Sequence, residues 1–88
     1  MGVKNVMEKI VWETIDRVLD GVPSVCRCDR CRDDIAAYAL NHLKPRYATT
    51  YKGEAISKAA SLEPQYYLDV ITALTQAIER VGRNPRHE

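Results

Sequence analysis

Much of what this chain lacks is informative. No stretch approaches the ~20 consecutive apolar residues of a membrane span, and the N-terminus carries no signal-peptide pattern. There is no internal repeat and no low-complexity tract. Cys26, Cys28 and Cys31 fall within six residues, and there is no fourth cysteine. Three thiols leave one over, so a closed disulfide framework fits poorly, and an odd cluster without an export signal points to a reducing cytoplasm. The net charge of +1 is far from the strongly basic balance of a dedicated nucleic-acid binder. No Ser/His/Asp or Cys/His set with supporting groups is visible, so the expectation is a protein that is not an enzyme.

What is present is the material of one small helical domain spanning residues 1–88. A chain this short buries only ~60–65% of the surface its unfolded form exposes, and such domains often lean on a metal or a partner subunit. Asn5, with Glu8 three residues on, forms a variant of the capping box. Met7, Val11, Thr14 and Val18 then recur at helical spacing, flanked by Ile10, Ile15 and Leu19. Trp12 lies beyond the edge of that stripe, so the apolar arc covers more than half the helix. A surplus of this kind suggests a second buried face, against another copy of the chain. Gly21 and Pro23 end the first helix.

A second helix starts inside the cysteine cluster and runs to about Leu43, with Asp29, Asp33 and Asp34 near the positive end of its dipole. Ile35, Ala36, Ala39, Leu40 and Leu43 form its inward stripe, and Pro45 requires it to stop. Residues 45–60, PRYATTYKGEAISKAA, read as a connector: alternation around Tyr47, Thr49 and Tyr51, with a turn at Lys52-Gly53, predicts a short strand or hairpin. The last helix opens at Ser61 or Glu63. It carries Tyr67, Val70, Ile71, Leu74, Ala77, Ile78 and Val81 on one face and is capped by Gly82. The fold class is therefore all-α, three main helices with a short strand or hairpin-like connector, zinc-stabilised and homodimeric.

The cysteines leave three readings: a metal site, a redox pair at Cys28 and Cys31, or inert thiols. C-x-C-x-x-C brings three thiolates to one point, and helix-start amides can hydrogen-bond the sulfurs. Arg27, Arg30 and Arg32 would soften the negative charge. A redox motif normally sits in a βαβ setting, which is absent. Zn2+ is favoured, bound by Cys26, Cys28 and Cys31, and a closed site needs a fourth ligand. His42 is 11 residues beyond Cys31, or ~16 Å along one helix, too far to share the ion. His87 in the tail is the candidate, with water, an Asp or a partner subunit's side chain as alternatives.

The run CRCDRCRDDIAAYALNHLKPRYATTYKGEA, followed by Gln65 and a helix ending AIERVGRNPRH, resembles the ComFB family of late competence development proteins. The opening NVMEKIV is similar to that family as well. The resemblance implies a small, mostly helical dimer with cysteine-bound zinc, linked to competence and motility. Cyanobacterial relatives act as cyclic di-GMP receptors. With no fourth cysteine, a four-thiolate site cannot form within one subunit of this chain.

A cyclic di-GMP site needs cations for the phosphates, planar groups to stack on guanine and polar groups for the base edges. Asn41, Arg46, Tyr47, Thr49, Tyr51, Lys52, Lys58 and Gln65 supply that set, and a two-fold dimer matches a two-fold ligand. The competing reading is an adaptor in DNA uptake without a nucleotide ligand, working on a downstream protein or on nucleic acid through the basic loop with Arg80, Arg83 and Arg86. The near-neutral charge makes nucleic acid the less expected partner.

Overall fold

The computed structural model describes residues 2–60 and 62–85. Its elements are β1 (Lys4–Asn5), α1 (Val6–Asp20), α2 (Asp29–Asn41), β2 (Tyr47–Ala48), α3 (Tyr51–Ala60) and α4 (Pro64–Arg83). The chain is mostly helical, with one two-stranded antiparallel sheet in which Lys4 faces Ala48 and Asn5 faces Tyr47.

Helices α1, α2 and α4 pack mutually around one core. Val11, Ile15 and Leu19 from α1, Ile35 and Ala39 from α2, and Leu74 and Ala77 from α4 are completely buried. Each large aliphatic among them contributes roughly 1.5–3 kcal/mol by leaving water. The alanines at 36, 39, 73 and 77 keep the α2–α4 contact close. Thr14 enters this core because its hydroxyl donates to the Ile10 carbonyl at 2.8 Å, which satisfies its one polar group.

Asn5 starts α1 as its sequence position predicts, and it does more. Its Oδ1 accepts from the Met7 amide at 3.1 Å and from the Arg46 amide at 2.9 Å, while the Val6 amide donates to the Arg46 carbonyl. One side chain thus caps a helix and ties down a segment 41 residues away. Asn5→Ala should lower stability by ~1–2 kcal/mol in urea unfolding. Asn5→Asp, which keeps the acceptor, should retain most of it; equal losses would show that the cap is unimportant.

Two expectations are corrected. The connector holds the expected short strand, β2, but no hairpin: β2 pairs with the distant β1, and Lys52 and Gly53 lie in helix α3, giving four helices among the described residues instead of three. Thr50 explains this. Its hydroxyl accepts from the Gly53 amide at 3.0 Å and its carbonyl from the Glu54 amide at 3.0 Å, an N-cap arrangement. Helix α3 buries none of its own side chains completely. It is held to α1 by the exposed pairs Lys9–Glu54 and Lys58–Glu13, at 3.1 and 2.8 Å. Pairs of this kind contribute roughly 0–1 kcal/mol each, so α3 is the most weakly anchored helix.

Gly82 is not the C-cap of α4 either, because the helix continues to Arg83 and is capped by Asn84. A Cβ at position 82 would stand 3.4 Å from Val25 Cγ2. The glycine allows the α1–α2 loop to press against the end of α4.

Candidate metal centre

The loop that carries the cysteines is fixed from two sides. Gly21 closes α1, and Val22 and Val25 follow in turns that donate to Leu19 and Val22 carbonyls. Val25 then packs on Gly82 of α4. On the other side Arg27 reaches Asp20 at 2.6 Å and Asp16 at 3.4 Å, and Arg32 reaches Asp16 at 3.1 Å. The Arg32 guanidinium also lies 5.5 Å from the Trp12 ring centroid, which partly covers that indole. Arg27 and Arg32, expected to soften the negative charge of the sulfurs, each ion-pair with carboxylates of α1.

Cys28 is the N-cap of α2, and its sulfur accepts from the Cys31 amide at 3.4 Å. Cys26 and Cys28 are exposed and Cys31 is buried. The three sulfurs lie within 4.8 Å of one another, and no histidine or carboxylate among the described residues joins them. Burial, then hydrogen bonds to Cys28 and Cys26, push the Cys31 thiol up to about 12. Burial thus disfavours the thiolate form of that sulfur.

The donor set fits zinc. Tetrahedral Zn–S bonds of ~2.3 Å place sulfurs ~3.8 Å apart, so small side-chain rotations bring these three into place. Bound there, zinc would supply a cross-link between the loop and the start of α2, and would hold Cys31 as a thiolate. A small cavity of about 160 Å³ adjoins the cluster, lined by Ser24, Val25, Cys26, Cys31, Val81, Gly82 and Pro85. His87, the candidate fourth ligand, lies outside the described residues. The other histidine, His42, caps the opposite end of α2, stacks on Tyr38 with centroids 4.3 Å apart and shares a hydrogen bond with the Tyr38 carbonyl.

The eight residues considered for a dinucleotide are divided among several places. Tyr47, Thr49, Tyr51 and Lys52 are exposed together at the β2–α3 corner, the two tyrosines at 66% and 77%. Arg46 is half-buried: its guanidinium lies 4.5 Å from the Tyr66 ring centroid and donates to the Ser57 carbonyl at 3.4 Å. Gln65 donates to Asp69 and lines an open cavity of about 600 Å³ with His42, Lys44, Tyr66 and Gln76. Asn41 ends α2 and is exposed. Lys58 belongs to a different groove, between α1, α3 and α4, where it pairs with Glu13. Two residues escaped sequence reasoning: Tyr66, the platform for Arg46, and Thr50. Of the two, Thr50 had a readable signal, a threonine directly before the helix formers of α3.

The family model described as "Late competence development protein ComFB" matches residues 4–85. The curated competence protein ComFB of Bacillus subtilis (strain 168) is 30% identical over 81 residues, covering 92% of this chain and 83% of that protein. A solved structure of the late competence protein ComFB from Bacillus subtilis superposes with a TM-score of 0.83 at 28% identity, covering 96% of this chain and 94% of that one.

Proposed function

Because the chain belongs to the ComFB family of late competence development proteins, we propose that it is a small, non-catalytic, zinc-binding regulatory protein of the cytoplasm that works as a homodimer and receives cyclic di-GMP. The observation that carries the metal part is the convergence of three sulfurs within 4.8 Å at the start of α2. His87 is the favoured fourth ligand. Pro85 lines the cavity beside Cys26 and Cys31, and two residues of chain span up to ~7 Å. Among the described residues no helix is long and apolar enough to cross a membrane. Support for a dimer comes from apolar surface left open in one copy, including Trp12 at 40% and Leu62 at 79% exposure.

For the dinucleotide, the β2–α3 corner offers two tyrosines to stack on guanine and Lys52 for a phosphate. Arg46 and Lys58 already have partners within the chain. The ligand's phosphates would therefore rely on fewer cations than the charge count suggests, which also weakens the nucleic-acid reading. Calorimetric titration with cyclic di-GMP at two salt concentrations is the test. Micromolar or tighter binding that Tyr51→Ala weakens at least about tenfold, ~1.4 kcal/mol, is the expected result. No heat from a metal-loaded sample at either salt would leave an adaptor acting through contacts with a downstream protein.

A further inference from the structure

Within the cysteine cluster the three thiols are not equivalent. Cys28 is exposed at the first position of a helix, and its sulfur receives the Cys31 amide hydrogen bond. Cys31, three residues on, is buried beneath it at 1% exposure. An outer sulfur at a helix start with an inner sulfur one turn below is the arrangement in which an oxidised sulfur is captured by its neighbour.

We propose that Cys28 and Cys31 form an oxidation site, at which a peroxide converts them reversibly to a disulfide and so discharges the metal. This rests on the zinc reading for its consequence, although the disulfide itself does not require it. In the first step the Cys28 sulfur, as thiolate, attacks one peroxide oxygen. The O–O bond breaks, hydroxide leaves and is protonated to water, and Cys28 becomes a sulfenic acid. The Cys31 sulfur, relieved of its proton or its metal, then attacks the Cys28 sulfur. The S–S bond forms, the S–O bond breaks and a second water departs. The two sulfurs lose two electrons in total and the peroxide gains them.

Backbone geometry selects this pair. Positions three apart at a helix start have Cα atoms ~5 Å apart, inside the 4.4–6.8 Å window that disulfides occupy. Once Cys28 and Cys31 are joined, Cys26 is the one thiolate left in the cluster, and a single thiolate cannot retain zinc. The cross-link between the α1–α2 loop and the start of α2 is then lost, so oxidation is read out as a loosened loop and a freed ion.

The test uses the full-length protein as purified. Its zinc content is first measured by atomic absorption. It is then treated with stoichiometric hydrogen peroxide beside a chromogenic zinc chelator, and its peptides are mapped without reduction. The expected result is a Cys28–Cys31 bridge with Cys26 still alkylatable, release of the bound zinc in step with bridge formation, and reversal by dithiothreitol. C26S should still form the bridge, and C31S should accumulate a Cys28 sulfenic acid that dimedone traps. If all three thiols stay alkylatable after peroxide, or if the bridge contains Cys26, the proposal is wrong. A sample that arrives without zinc and still forms the bridge refutes the zinc reading while upholding the oxidation site. Because the mapping needs only the parent protein, a variant that fails to fold does not blunt the test.

Discussion

Cys28→Ser should release the metal and lower the thermal midpoint by about 15 °C or more. Serine is among the best N-cap residues, so the change preserves the cap of α2 and removes a ligand with little else. A metal held at 100–1,000 times its dissociation constant stabilises the folded chain by ~3–4 kcal/mol, and each kcal/mol moves the midpoint of a domain this size by ~4–8 °C. A strong chelator added to the parent should reproduce the shift. Acid should weaken the metal-bound form, because the ion must displace thiol protons. The sign is set by Cys31, whose thiol is pushed up to about 12 by burial and its two thiol neighbours, so that a bound cation must compete with its proton. Scanning calorimetry of the parent, the chelated parent and the variant decides the matter. If the variant keeps the parent's midpoint and chelation changes nothing, zinc has no structural role here.

Leu74→Ala should be nearly as damaging for a different reason. Leu74 is completely buried on α4 in the core shared with α1 and α2. Truncating a buried leucine costs ~3–5 kcal/mol, counting the transferred methyl groups and the cavity left behind. A chain of 88 residues has roughly 4–13 kcal/mol of stability in all, so this one change removes a large share of it. Urea unfolding should show a much lower midpoint with little change in slope. Val3→Ala, at 70% exposure, should change stability by no more than ~0.5 kcal/mol. A small effect at Leu74 would mean that α4 does not complete the core.

These two positions mark what sequence reasoning could reach. Leu74 and Cys28 were both legible because their signals are local. One is apolar spacing at the helical period, and the other is thiols crowded into six residues beside a helix start. The start of α1 at Asn5 and its end at Gly21 were readable for the same reason, since a cap is set by a residue and its immediate neighbours. The connector was misread where two local signals competed. Tyr47, Thr49 and Tyr51 alternate like a strand, yet Thr50 caps a helix that takes over from Tyr51, and the strand that does form pairs with residues more than forty positions away.

The sequence by itself determined the three core helices α1, α2 and α4, which of their faces are apolar, where the thiols cluster and to which family the chain is related. All of these follow from neighbours along the chain. Only the tertiary structure decided how charge and access are distributed. It turned Arg27 and Arg32 toward Asp16 and Asp20, laid Arg46 over Tyr66, set Lys58 against Glu13 and sank Cys31 beneath Cys28. Those outcomes depend on which helices approach one another and at what distance. A lysine or thiol carries no mark in the sequence of the partner that packing will bring to it.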